Sequence, residues 1–175
     1  GLAGTLAWDS ETLDFESKLI GSFNLENLTL AASIAIELNI SAQSIAKGIE
    51  NCTNIDGRLH LVENQKNQMI FLDYAHSPDA YFRTLKALEE NFSRPLKVLF
   101  GAGGGRDKSK RPKMAEVVEK YSIECYVAPD NPRFEDIELI NNDVIKGFSN
   151  ESHHIFNDRK EALIFALTNL KSDEI

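Results

Sequence analysis

The chain has 175 residues, 42% hydrophobic and 26% charged, a globular mixture long enough to bury a sizeable core and unlike a disordered segment. Its 19 Lys and Arg against 27 Asp and Glu give a net charge of −8, which argues against a general nucleic-acid or membrane-surface binder unless positive charge is locally concentrated. No apolar run reaches the roughly 18 residues of a membrane span, and the two cysteines, Cys52 and Cys125, lie in no zinc or disulfide spacing and suit a reducing cytosol.

The start, Gly1-Leu2-Ala3-Gly4, has neither an initiator Met nor a signal-peptide pattern, and the chain reads as a piece of something longer. Weak alternation around Thr12 to Phe15 predicts a short strand or hairpin, which Gly21 ends. Leu25, Leu28, Ala32 and Ala35 then recur at helical steps, predicting a helix from Asn24 to Leu38, with Ala31, Ile34 and Leu38 widening its stripe. Ser41 can cap a second helix running to about Glu50. Two successive helices followed by Asp56-Gly57 suggest the tail of one domain and a joint.

Beyond the joint, strand and helix alternate. Apolar runs at Leu59–Glu63 and Met69–Leu72 flank a polar turn, and Ser77-Pro78 is a helix start with Ser77 as N-cap. Tyr81, Leu85 and Leu88 mark that helix's buried stripe. The run from Leu96 to Phe100 has the continuous apolar character of a strand buried on both faces. Further helices are predicted at Pro112–Tyr121, Asp136–Phe148 and after Asp158, with strands at Ile123–Ala128 and His153–Phe156. This order predicts an α/β fold with a mostly parallel, Rossmann-like sheet, whose ligands would meet the loops at the carboxyl ends of the strands.

Three such loops carry the chemistry. Gly101 to Arg111 holds four glycines, and Arg106, Lys108, Lys110, Arg111 and Lys113 crowd five cations into eight residues of an acidic chain. Such a loop is either an anion site or a flexible solvated turn. It fits neither a dinucleotide fingerprint nor a G-x-x-x-x-G-K-[ST] phosphate loop, and the latter occurs nowhere in the chain. In Asp130-Asn131-Pro132-Arg133, Pro132 stiffens a turn bearing both signs of charge. It would suit a zwitterion, with a carboxylate on Arg133 and an ammonium on Asp130, or the two side chains could simply pair with each other. In Asp73-Tyr74-Ala75-His76-Ser77, Asp73 and His76 could contact a ribose, a phosphate or a reacting proton, or His76 could be structural. His153 and His154, adjacent on a strand, point to opposite faces and cannot share a metal, and no partner for His60 is evident.

Taken in order, Asp73-Tyr74-Ala75-His76-Ser77-Pro78-Asp79, then Phe100 to Pro112, then Asp130-Asn131-Pro132-Arg133 resemble the signatures of the Mur ligases, most closely the members that add meso-diaminopimelate. Gly21-Ser22-Phe23-Asn24-Leu25-Glu26-Asn27 and Gly57-Arg58 match as well. The departures are Ala102, Gly105 and Ser109, where Cys, Asp and Gly are common, Ala128-Pro129 in place of Thr-Asp, and Ser77 in place of Thr.

The resemblance implies that residues 1–58 are the end of a central ATP-binding domain and residues 59–175 a truncated C-terminal Rossmann-like domain. It implies ATP-dependent amide bond formation through an acyl phosphate, joining meso-diaminopimelate to UDP-MurNAc-L-alanyl-D-glutamate in peptidoglycan synthesis. Asn24 and Asn27 would bind adenine. Arg58 and Asp73 would contact the phosphate and ribose of ATP, with His76 nearby. Arg106, Asp130, Asn131, Pro132 and Arg133 would bind diaminopimelate. No catalytic residue is expected in this piece, His76 being the one candidate. The family's phosphate loop, magnesium ligands and modified lysine are expected upstream, and its K-G-H-E segment beyond Ile175, so the piece alone would be inactive. A cytoplasmic monomer acting on small molecules, with no nucleic-acid or membrane partner, completes the expectation. The alternatives are another Mur-type ligase, such as a folylpolyglutamate synthetase, and a non-catalytic amino-acid or nucleotide-binding module.

Overall fold

The computed structural model describes residues 1–9 and 11–175. The chain divides into two compact units, Gly1–Leu61 with Leu72–Tyr74, and Val62–Phe71 with Ala75–Ile175. No helix among the described residues is long and apolar enough to cross a membrane.

The first unit opens on an antiparallel hairpin, β1 (Leu2–Trp8) and β2 (Glu11–Ser17), in register from Leu2↔Ser17 to Trp8↔Glu11. Alternation along β2 turns Leu13, Phe15 and Ser17 inward and leaves the residues between them exposed. Gly21 follows with φ +88, a backbone that favours glycine, and starts α1 (Ser22–Glu37). Ser41 caps α2 (Ala42–Asn51), its hydroxyl accepting the Ser44 N–H at 3.3 Å. Leu28 and Ala32 of α1 and Ile45 and Ile49 of α2 close over Leu13, Phe15 and Leu19. The stripe of α1 is narrower than its sequence suggests. Asn24, Leu28 and Ala32 are buried, whereas Leu25, Ile34 and Leu38 are exposed.

The predicted strands around the polar turn shrink to β3 (His60–Leu61) and β4 (Phe71–Leu72). Between them Asn64 ties the turn to itself: its Oδ1 accepts from the Lys66 and Gln68 amides, and its Nδ2 donates to the Val62 and Gln68 carbonyls. A side chain that satisfies the turn's backbone removes those groups from any ladder.

In the second unit α3 (Pro78–Asn91) begins at Ser77, whose hydroxyl accepts the Ala80 N–H, with Pro78 in the first turn. Tyr81, Leu85 and Leu88 are buried, as their spacing predicts. Then follow β5 (Lys97–Phe100), α4 (Lys110–Tyr121), β6 (Glu124–Val127), α5 (Ile137–Ile145), β7 (His153–Ile155) and α6 (Arg159–Thr168). The three strands form a parallel sheet in the order β5-β6-β7, so the α/β expectation holds.

Alternation assigns the sheet's two faces. Phe100 meets Tyr81 of α3 and Phe148 edge-on, and His153 stacks on Phe148 at 4.3 Å. On the other face Tyr126 stacks on its cross-strand partner His154 and meets Phe165 of α6. His153 and His154 therefore diverge, as adjacent strand residues must. Phe165 is the residue of α6 that meets the sheet, while Leu163 is exposed. Asp158 caps α6 through the Glu161 amide at 2.8 Å.

At the start of the sheet Lys97 lies between Glu124 and Glu174, 3.0 Å from each. Burial alone would lower its pKa, but hydrogen bonds to the two carboxylates outweigh burial and raise it. The last residue joins this edge: the Ile175 amide donates to the Pro95 carbonyl, and the Ile175 carbonyl accepts from Lys97. Cys125 is buried, which pushes its thiol up to about 11, an inert state, and both cysteines are unpaired.

Candidate functional site

Phe100 pairs with Val127 at the last rung of the β5–β6 ladder. The glycine-rich loop and the 128–136 loop therefore leave the sheet side by side at its carboxyl edge. Ala128 continues the pairing by donating to the Phe100 carbonyl at 2.9 Å, and a Cβ on Gly101 would collide with the Ala128 carbonyl. The two loops run too close together for a side chain at that point.

Beyond the ladder the loops are stitched by backbone. The Gly104 amide donates to the Asn131 carbonyl at 2.9 Å. The Asn131 side chain folds back, its Oδ1 accepting the Arg133 amide at 3.1 Å. Arg133 takes φ +52, a left-handed conformation unusual for a non-glycine residue, and Gly105 opposite takes φ +62. This turn leaves Arg133 exposed, with Nη1 donating to the Gly104 carbonyl. Among the described residues no carboxylate pairs with Arg133, so the internal Asp130–Arg133 ion pair does not form. Asp130, Asn131 and Arg106 are also exposed, and a Cβ added at Gly105 would press against the Arg133 side chain. One edge of the second unit thus gathers all five residues expected to meet diaminopimelate.

The five-cation cluster does not survive as one group. Arg111 is 1% exposed. Its Nη2 lies 3.0 Å from both Glu135 oxygens and 3.3 Å from the Gly103 carbonyl, and its Nη1 lies 3.0 Å from Asp143. Lys108 pairs with Glu135 at 3.2 Å. Lys110 donates to the His76 carbonyl at 2.9 Å, which brings His76 to this edge. Arg106 and Lys113 are left as exposed cations outside these pairings. Glu135 also accepts the Gly105 amide at 2.6 Å. That bond first, then Arg111 and Lys108, hold its carboxyl down to about 2, well below the usual carboxylate range. Sequence reasoning missed Glu135 and Asp143 because each looks like an ordinary surface acid. A basic residue inside a helix start, followed by acids after the next strand, is the faint signal that was present.

The first unit holds the other expected residues. Asn24 is 1% exposed, its amide nitrogen donating to the Ile20 carbonyl at 2.8 Å while its Oδ1 accepts from Asn27 at 3.3 Å. Asn27 is the exposed member of the pair. Asp73 accepts the Leu59 amide at 2.9 Å, and the Tyr74 amide donates to the Gly57 carbonyl. Gly57, at φ +69, lies under the Tyr74 ring so closely that a Cβ would overlap it. Arg58, next along, is exposed. His60 pairs with Asp56 at 3.1 Å, a partner the sequence did not reveal. Among the described residues no group of three His, Cys, Asp or Glu side chains could hold a metal ion.

Known proteins resemble this chain throughout. A UDP-N-acetylmuramoyl-L-alanyl-D-glutamate–2,6-diaminopimelate ligase from Bacillus cereus is 33% identical over 175 residues, covering 100% of this chain and 36% of its own length. The enzyme of that name from Geobacter sulfurreducens is 40% identical over 147 residues, 84% of this chain and 29% of its own. A solved structure of a ligase of the same name superposes with a TM-score of 0.66 at 31% identity, covering 99% of this chain and 36% of its own. Mycobacterium tuberculosis folylpolyglutamate synthase, solved with ADP and AMPPCP, shares the fold, with a TM-score of 0.74 at 20% identity over 90% of this chain and 36% of its own. The chain thus spans about a third of the length of these relatives. Its residues 57–175 match the model described as Mur ligase, glutamate ligase domain, and the chain belongs to the Mur ligase family.

Proposed function

We propose that this chain is part of an ATP-dependent ligase that adds meso-diaminopimelate to UDP-MurNAc-L-alanyl-D-glutamate during peptidoglycan precursor synthesis. In this reading residues 1–58 end the central ATP-binding domain and residues 59–175 belong to the C-terminal Rossmann-like domain. The names of the relatives support the substrate class. The observation that carries the reading is Arg133: an exposed guanidinium in a turn braced by Asn131, with no protein acid on it among the described residues.

Diaminopimelate carries two amino-acid ends. One amine must stay free to react, so the far end must be gripped. Arg133 and Arg106 offer cations for its carboxylate, and Asp130 offers an anion for its ammonium. The reaction begins when the D-glutamate carboxylate attacks the γ-phosphorus of ATP, releasing ADP and forming an acyl phosphate. The deprotonated amine then attacks the acyl carbon, and the tetrahedral intermediate expels phosphate as the amide forms. The contribution of these residues is to orient the amine and lower the entropy of the encounter.

In the first unit Asn27 and Arg58 are proposed to contact the adenine and phosphates of ATP. Asn24 holds Asn27, and Asp73, whose carboxylate accepts the Leu59 amide, is proposed to meet the ribose. In the second unit His76 is the further proposed nucleotide contact. Magnesium finds no ligand set among the described residues.

In the full-length ligase, Arg133→Ala is expected to raise the KM for diaminopimelate by about tenfold or more and to change the KM for ATP by less than about twofold. Equal losses for both substrates would remove Arg133 from the proposed role.

A further inference from the structure

Arg111 has every reason not to be where it is. It lies in the first turn of α4, the end of a helix dipole that disfavours a cation. It is 1% exposed, and burying a guanidinium requires removing its hydration shell. Its Nε is buried with no hydrogen-bond partner among the described residues. A methionine or leucine would fill the volume without these penalties. What the guanidinium does provide is connection. It holds Glu135 through both oxygens, Asp143 of α5 and the Gly103 carbonyl, so one group touches the glycine-rich loop, the end of the 130–135 turn and a helix behind them.

Glu135 completes the link. Its Oε1 accepts the amide of Gly105, the residue before Arg106, and its own amide donates to the Pro132 carbonyl, the residue before Arg133. One residue therefore braces the backbone next to each of the two exposed arginines, its carboxylate beside Arg106 and its backbone amide beside Arg133. Arg133 closes the circuit by donating to the Gly104 carbonyl.

We infer that Arg111 and Glu135 form a positioning pair that fixes the spacing and orientation of Arg106 and Arg133 for a dicarboxylate, diamino substrate. Neither residue of the pair reaches the ligand; both act through the backbone that carries the two arginines. The inference rests on the proposed diaminopimelate role of this edge. Its energetic logic is that of a buried ionic group kept for geometry rather than for stability. Lysine cannot replace Arg111, because a single ammonium cannot span Glu135, Asp143 and Gly103 together.

The test uses the full-length ligase with Glu135→Gln, Glu135→Ala and Arg111→Lys, compared with Arg133→Ala, each melted to establish the folded fraction. A purely structural role would lower the number of active molecules and hence the apparent kcat, leaving KM values unchanged. A positioning role raises the KM for diaminopimelate by about tenfold in Glu135→Ala and Arg111→Lys, while the KM values for ATP and for the UDP-dipeptide stay within about twofold. Glu135→Gln, which keeps an acceptor for Gly105 but loses the charge, should fall between wild type and Glu135→Ala. If Arg111→Lys does not fold, the two Glu135 variants carry the test. A diaminopimelate KM unchanged in Glu135→Ala, with that of Arg133→Ala raised, overturns the pair and leaves the substrate reading standing. Unchanged values in both overturn the substrate reading itself. Parallel rises for all three substrates would show an effect not confined to the diaminopimelate edge and also overturn it.

Discussion

Arg111 and Arg133 are the same side chain with opposite fates, and their neighbours decide which is which. Arg111 has two acids within 3.0 Å and is sealed among them. Arg133 has a carbonyl instead and stays exposed. The sequence reveals the second because Asn131-Pro132 is a local turn signal. It hides the first because a charge inside a basic run looks solvated, and its acids lie beyond the next strand. Gly104 is a third residue whose role is legible only in space: a Cβ there would overlap the Pro132 carbonyl, so the loops can approach only over hydrogen. Gly104→Ala should therefore cost about 1–3 kcal/mol by overpacking and raise the diaminopimelate KM, read by thermal melting and by kinetics. A variant with unchanged melting and unchanged KM would mean that the loops separate freely.

Elements whose signals are local follow the sequence closely. Ser41, Ser77 and Asp158 cap the helices they were expected to cap. The strands that fail, β3 and β4, fail because Asn64 supplies the turn's backbone with partners of its own. Helix α4 begins at Lys110 rather than Pro112, since a proline in the first turn gives up an amide that has no intrahelical partner anyway. That early start carries Arg111 into the helix and toward α5. The Glu135 link between these elements has a pH signature. Its carboxyl is held at about 2 against an ordinary value of 4.5. A depressed value stabilises the folded state above pH about 4.5, and the benefit disappears as pH falls toward about 2. The gap in melting temperature between wild type and Glu135→Gln should be widest above pH 4.5 and close as acid is added. A gap that is constant across that range would mean that the carboxylate's charge contributes nothing.

At the scale of the whole molecule, the order of motifs carries more than any motif alone. The glycine-rich loop by itself fits an idle turn, and the Asp130–Arg133 turn fits an internal ion pair. Their adjacency at one sheet edge follows from parallel topology, which strand–helix alternation does make legible. The chain contains no G-x-x-x-x-G-K-[ST] segment, so the 175 residues incubated with ATP should release no phosphate above background. Sustained turnover by this piece would remove the proposal that phosphate activation depends on residues outside it.

The level rung at Phe100 and Val127 has one more consequence. It works as a ruler: the two grips proposed for one small molecule are measured out from a common zero. A slip of β6 by a single residue would turn Tyr126 toward the wrong layer and carry one grip away from the other by about 3.3 Å, farther than a charge-assisted hydrogen bond can stretch. Any redesign of what this edge accepts must therefore begin with the ladder beneath it.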